Sequence, residues 1–358
     1  MAGAYKWKKL SECDVYDPFF DSLKDDYPEF EEWFLKKANK GEAAFTYSDD
    51  CGLGAFVMLK YNECEEIECL DGTKLPARKR LKISTLKLAD HVQGNRLGEG
   101  AIGIALWKWM ESADDEIYVT VFQKHGKLID MLEKFGFSNV SKNKRGELIL
   151  LKSKNNIDFS TPYTSFPFVS KDQNEVALLP IEAEWHDKLF PYSELRNTIQ
   201  ETEEFAAANG ITKTYICFPY SVPSYKENQP IMIYRKAKEI QNRTYKSVIT
   251  SYGTIVKMYV IKRNGFSLKS FAEFEQIVGN KSVFSDDEIN RFYDKQKNIC
   301  VVELVYNHAF GAGNNVNHCT LNERGIWKGC HPFQAVYTME DFKEILTLAK
   351  QPKDKLII

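Results

Sequence analysis

The residues of this 358-residue chain whose types and spacing point most directly to chemistry are Leu86-Lys87-Leu88-Ala89-Asp90-His91-Val92-Gln93-Gly94-Asn95-Arg96-Leu97-Gly98-Glu99-Gly100-Ala101-Ile102. A strand-like run enters a glycine-containing turn that permits close backbone approach, and a helical pattern starts directly after it. The amino end of a helix presents N–H groups outside its own ladder, together with the positive end of its dipole. This order therefore predicts a phosphate or pyrophosphate site. Gly98 to Gly103 also spells GxGxxG, the fingerprint of a dinucleotide fold. In that fold the glycines follow their strand at once and an acidic residue ends the next strand. Here residues 89–97 intervene, and Asp114, Asp115 and Glu116 precede the next strand. A glycine turn without any ligand is the plain alternative. For proton transfer the candidates are Asp90 and His91, just past the strand end, and Tyr118 on the following strand. His91 could titrate near neutrality, whereas an aromatic residue on a strand commonly serves packing. Glu99 suits the helix amino end as a cap.

A second chemistry-bearing stretch runs from Arg235 to Arg263. Arg235, Lys236, Lys238, Arg243, Lys246, Lys257, Lys262 and Arg263 face one acid, Glu239, and are interleaved with Tyr245, Tyr252 and Tyr259. Cations follow phosphates and aromatic faces stack on bases, so Arg235, Lys236, Lys238, Arg243 and Lys246 are candidates for RNA contact. Lysines on the polar face of paired strands are the alternative. The cysteines at 13, 51, 64, 69, 217, 300, 319 and 330 are scattered, which suits reduced thiols. His318-Cys319 and Cys330-His331 put ligands side by side, awkward for one tetrahedral zinc, so no metal is expected.

Around these residues the elements fall into two groups. Length alone favours two domains. Asn, Ser, Thr and Pro accumulate near Lys152–Gln173, which places a linker at 156–176 between domains at 1–155 and 177–358. The first part reads as a strand near Trp7, a helix over 19–40, strands at 43–48, 54–61 and 81–88, the glycine turn, a helix with Ile102, Ala105, Leu106 and Trp109 on one face, and a strand at 117–122. A helix bearing Leu128, Met131, Leu132 and Phe135 follows, closed by Gly136, and then a strand at 147–151. The acidic stretch from Glu63 to Asp71 reads as an excursion between strands. After the linker we expect a helix at 192–209, strands at 214–218, 230–235, 247–261 and 299–306, helices at 268–278 and 285–295, extended chain at 332–337 and a helix at 339–349. The expected class is thus α+β, with a compact mixed β-barrel in the second half. Net charge is −2, and neither half is basic overall: 24 Lys and Arg against 26 Asp and Glu in residues 1–155, and 24 against 24 in the remainder. Bulk charge therefore gives no nucleic-acid signal. The charged start of the chain and the lack of an apolar run of roughly 20 residues predict a soluble, cytoplasmic protein.

With these residues in view, positions 1–155 resemble the GCN5-related N-acetyltransferase (GNAT) family, whose pyrophosphate loop reads Gln/Arg-x-x-Gly-x-Gly/Ala. Asn95-Arg96-Leu97-Gly98-Glu99-Gly100 fits that frame, with Asn95 in place of Gln or Arg. The second mark is a strand, Ile117–Phe122, followed by a helix running into Gly136-Phe137. The resemblance implies acetyl-CoA as co-substrate, lying between strands 81–88 and 117–122, with its pyrophosphate on amides from Arg96 to Ala101 and its thioester carbonyl polarised by an amide near Leu86 or Leu88. A tyrosine that many members carry as general acid is replaced here by Leu132. The second half resembles, over Lys236–Arg243 and the strand after it, the PUA-like superfamily that includes ASCH domains, though the glycine that opens the ASCH pattern is missing. Together these imply an N-acetyltransferase whose acceptor amine is RNA- or nucleotide-borne. The alternatives are a protein or small-amine acetyltransferase with a protein-binding second domain, and a sensor with an inactive acetyltransferase fold. No sequence feature fixes the oligomeric state.

Overall fold

A computed structural model describes residues 5–191, 206–238, 241 and 243–358. The chain divides into two compact units, Met1–Ile157 and Asp158–Ile358.

Unit 1 contains strands β1 (Lys6–Lys9), β2 (Ala43–Asp49), β3 (Gly52–Glu63), β4 (Ile67–Glu68), β5 (Lys74–Leu75), β6 (Arg80–Leu88), β7 (Glu116–Val121), β8 (Ser138–Lys142) and β9 (Leu148–Ser153). Its helices are α1 (Asp21–Asp26), α2 (Phe30–Asn39), α3 (Leu97–Glu111) and α4 (Gly126–Lys134). Seven strands form one sheet in the order β1-β2-β3-β6-β7-β9-β8, and β4 pairs with β5 apart from it. The helix expected over 19–40 is split at Tyr27–Glu29, because Pro28 has no N–H and its ring disfavours helical backbone before it. Helix α3 is buried on nearly every side, where the sequence suggested one apolar face. Helix α4 ends as expected: Gly136 takes φ +83°, and the Phe137 amide donates back to the Leu132 carbonyl at 3.1 Å.

The excursion between β3 and β6 is held by Arg80. Its side chain is 2% exposed; Nε donates to Glu116 Oε2 at 2.8 Å, Nη1 to the Glu65 carbonyl at 3.2 Å and Nη2 to the Pro76 carbonyl at 2.7 Å.

In Unit 2 the elements are α5 (Pro162–Ser165), β10 (Glu175–Glu182), α6 (Ala183–Leu189), α7 (Ala206–Asn209), β11 (Thr212–Cys217), β12 (Pro230–Lys236), α8 (Arg243–Lys246), β13 (Val248–Arg263), β14 (Phe266–Ser267), α9 (Phe271–Val278), α10 (Asp286–Lys295), β15 (Ile299–Ala309), β16 (Val316–Asn317), α11 (His318–Glu323), β17 (Val336–Thr338), α12 (Met339–Leu348) and α13 (Lys353–Leu356). The sheet runs β11-β15-β13-β12-β10-β17, with β14 and β16 attached to β13. The expected barrel is therefore corrected to an open mixed sheet among the described residues. Its end strands β11 and β17 do not pair; β17 has only three residues, and α9 packs against β11. The stretch at 156–176 is no free linker: Phe166, Phe168 and Val169 are buried in Unit 2 and α5 carries a capping box. Apolar rings within a polar stretch supplied the burial that composition alone did not suggest. Most of the helix expected over 192–209 lies outside the described residues.

Strand β10 was not among the expected elements, and it carries Pro180, whose missing N–H cannot donate to a ladder. β17 pairs only with Glu175–Ala177, so Pro180 sits where one edge of β10 has no partner strand, and a missing N–H is accommodated there. Among the described residues no helix is long and apolar enough to cross a membrane.

Candidate functional site

The parallel pairing of β6 and β7 runs from Arg80 with Glu116 to Ile83 with Val119, and then stops although β6 continues to Leu88. On the other side β6 stays paired with β3 to Leu88, and the register shifts so that Ser84 is an extra residue between Ile83 and Thr85. A bulge of this kind bends its strand and increases the local twist. The strands thus part beyond Ile83, leaving the Ser84–Leu88 edge of β6 without a partner. The Ala89 amide donates to the Gly54 carbonyl on β3 at 2.8 Å. Strand alternation then turns the amides of Leu86 and Leu88 the other way, toward the opening.

Beyond β6 the turn 90–95 is closed by its own amides: Gln93 donates to the Asp90 carbonyl at 3.1 Å and Asn95 to that of Val92 at 3.2 Å. Arg96 then takes left-handed backbone, φ +57°, and α3 begins with no side chain capping it. The helical ladder starts where the Gly100 amide donates to the Arg96 carbonyl at 3.2 Å. Leu97 and Gly98 precede it, and the expected contribution of Gly100 and Ala101 is corrected: the helix uses their N–H groups itself. Gly98 lets this end approach β6 and α4, since a Cβ there would lie 3.1 Å from Leu88 Cδ1 and 3.3 Å from Met131 Cε. The Arg96 side chain is 10% exposed and paired with Glu99 through Nη2, while its Nη1 is buried with no hydrogen-bond partner. A buried guanidinium nitrogen without an acceptor, next to a helix amino end, is satisfied by an oxyanion such as phosphate.

The proposed proton-transfer residues are not gathered together. His91 Nε2 lies 3.2 Å from Asp49 Oδ1, at the end of β2. In the order β2-β3-β6-β7 this is the side of β6 away from the opening. Asp90 accepts from Gln93 Nε2 at 3.0 Å. The Tyr118 hydroxyl donates to Glu63, and its ring packs with Cys69 and Ile149 in the cluster beneath β4 and β5. Burial first, then Glu63, pushes the Tyr118 phenol far up, so it stays a neutral donor. Burial also pushes Glu63 upward, but hydrogen bonds from Lys60 and Tyr118 outweigh it and leave the carboxyl below its ordinary value. Leu132 is fully buried and supplies no acid.

Sequence reasoning missed a group that α1 gathers at the far end of the opening. Lys87 on β6 donates to Ser22, and Asp26 at the end of α1 binds Lys124 through Oδ1 and His125 Nε2 through Oδ2, the latter at 3.3 Å. Burial pushes Asp26 up, but the hydrogen bonds from Lys124 and His125 prevail and hold it below the ordinary carboxylate range. The chain offers no local signal for a pairing across about a hundred residues.

In Unit 2 the expected RNA contacts are largely neutralised. Arg235 makes a bidentate pair with Asp187 at 2.8 and 2.7 Å, Lys236 binds Glu182, and Lys238 lies 3.3 Å from Glu184. These acids come from β10 and α6, some fifty residues earlier, which is why the stretch reads as basic in sequence. Arg243 and Lys246 lie on the short α8. Asp187 also contacts His186 Nδ1 at 2.8 Å, and His186 Nε2 is 2.8 Å from Thr250 Oγ1. Burial holds His186 neutral, below its ordinary value. Burial would raise Asp187, yet the Arg235 guanidinium dominates and brings it down to about 2. The folded unit therefore binds fewer protons than the unfolded chain at pH below about 6.5, the ordinary histidine value. His186 contributes fully above that pH and progressively less below it; Asp187 contributes above about 4 and is lost as pH falls through 2. Unit 2 should melt at lower temperature at pH 5 than at pH 7.5, with part of the difference removed in His186→Gln, as followed by calorimetry. Among the described residues no three His, Cys, Asp or Glu side chains lie close enough to hold a metal ion.

No protein-family model matches the chain, and no curated protein matches it. Solved structures similar to parts of it include ASCH from Zymomonas mobilis, 10% identical, covering 49% of this chain and 96% of that one with a TM-score of 0.32. They also include Arabidopsis thaliana Naa50 in complex with a bisubstrate analogue (17% identical, 42% and 99% covered, TM-score 0.27) and the PaiA N-acetyltransferase of Thermoplasma acidophilum in complex with coenzyme A (15%, 42% and 98%, TM-score 0.29). Structures of both kinds, ASCH domains and acetyltransferases, are thus among those to which this chain is similar.

Proposed function

We propose that Unit 1 is an acetyl-CoA-dependent N-acyltransferase, a reading carried by one observation: the uncapped end of α3, with the unpartnered Arg96 Nη1, stands beside strands that part. Acetyl-CoA bound there supplies an activated thioester. Arg96 and the amides of Leu97 and Gly98 hold the pyrophosphate, and Glu99 keeps Arg96 in place. The unpaired edge of β6 takes the pantetheine arm by hydrogen bonds, and the Leu88 or Leu86 amide donates to the acyl oxygen, where charge develops. Most of the rate then comes from positioning two reactants in one opening. The acceptor is an amine. For an RNA- or nucleotide-borne amine the support is the basic stretch of Unit 2, reduced by the ion pairs of Arg235, Lys236 and Lys238; Unit 2 remains the element proposed to recruit the acceptor.

Calorimetric titration tests the reading. Acetyl-CoA and coenzyme A should bind with Kd in the micromolar range, about −8 kcal/mol, and NAD should not. Arg96→Ala should weaken acetyl-CoA at least 10-fold. Wild-type protein that binds NAD but not acetyl-CoA would return the GxGxxG reading.

A further inference from the structure

We propose that His125, held by Asp26, takes the proton that the acceptor amine must lose, in place of His91. The inference rests on the acyl-transfer reading of Unit 1. His125 lies in the short loop after β7, directly before α4, and its partner Asp26 also neighbours Lys87 near the end of β6. α1 connects the two sides, since Ser22 meets Lys87 and Asp26 meets His125. His91, the other imidazole near β6, is instead drawn to Asp49 on β2, across two strands from β7.

The Asp26 carboxylate is 11% exposed and receives one cationic or N–H donor on each oxygen, Lys124 on Oδ1 and His125 Nε2 on Oδ2. Because Nε2 donates to a carboxylate, Nδ1 is the basic nitrogen, the arrangement that orients imidazoles for proton transfer elsewhere. The His125 side chain is 45% exposed, so a substrate amine can reach it. The charged groups next to it are Asp26 on α1 and, through the other oxygen of Asp26, Lys124 on its own loop; Asp26 together with Asp21 and Asp25 on α1 and Asp90 also neighbours Lys87 at the end of β6. In the transfer, the amine nitrogen bonds to the acyl carbon, the carbon–sulfur bond breaks, its electron pair leaves with the thiolate of coenzyme A, and the proton from nitrogen goes to Nδ1. Charge balances: a neutral imidazole becomes cationic as the neutral thioester releases an anion.

The test uses the full chain with acetyl-CoA and n-butylamine, following release of free coenzyme A from pH 5.5 to 9. His125→Gln should lower kcat about 100-fold with the KM for acetyl-CoA within twofold, and should abolish the acid limb of the rate profile. Asp26→Asn should lower kcat by less and also alter that limb. An unchanged rate in His125→Gln, or a fall equal at every pH, overturns the assignment. A second measurement needs no turnover: carbethoxylation by diethyl pyrocarbonate, read by mass spectrometry, should slow at least fivefold at His125 when acetyl-CoA is saturating by calorimetry, with His331 as reference. No protection under those conditions overturns the assignment while leaving acetyl-CoA binding intact. Absence of acetyl-CoA binding removes the acyl-transfer reading itself, and this assignment with it.

Discussion

Valine at position 98 is expected to weaken acetyl-CoA binding about 100-fold, or about 2.7 kcal/mol, while Unit 1 still folds. The first turn of α3 rests against Leu88 of β6 and Met131 of α4, with room for a hydrogen and little more. A single methyl would press on the ends of two flexible side chains, which can move, so Gly98→Ala should keep most of the affinity. The two methyls of a β-branched residue exceed that slack and lift the helix end from β6. Lifting moves the Leu97 and Gly98 amides and Arg96 Nη1 away from one another, and a pyrophosphate needs them together. Calorimetry for affinity and thermal melting for folding separate the two effects. A valine variant that binds as tightly as wild type would mean that the phosphates do not lie at α3.

The largest loss of stability is expected from Arg80→Ala, roughly 3–5 kcal/mol of Unit 1 stability. Arg80 and Glu116 are register partners at the start of the β6–β7 pairing, and both are almost fully buried. Removing the guanidinium leaves the Glu116 charge without its main partner, since Arg78 stands farther off, at 3.5 Å from Oε1. It also frees the carbonyls of Glu65 and Pro76, so the β4–β5 excursion loses its anchor. The double variant Arg80→Met with Glu116→Leu should recover much of the loss, because apolar residues of similar volume carry no desolvation penalty. Urea midpoints of the two variants measure this. Equal losses in both would assign the effect to packing instead of the buried charge.

The sequence by itself determined the elements whose signals are local. The glycine turn before α3, the α4 helix ending at Gly136 and the apolar strands around them follow from residue spacing, since backbone conformation and hydrophobic periodicity act over a few positions. Length likewise indicated a chain large enough for two cores, and the expectation of an anion site at the amino end of α3 arose from the partial charge that a helix end carries by itself. What the tertiary structure decided depends on partners far apart in the chain. It showed that the Gly100 amide belongs to the helix ladder, that β10 tolerates Pro180 at an unpaired edge, and that Unit 2 is an open sheet. It also neutralised Arg235, Lys236 and Lys238 with acids from β10 and α6. The same reason governs the proton-transfer candidates. His91 looked well placed because it follows a strand end, and Asp49 turns it toward β2; His125 carried no signal until folding brought Asp26 beside it. Ion pairs and hydrogen bonds between side chains depend on distance in space, and only the folded backbone sets that distance.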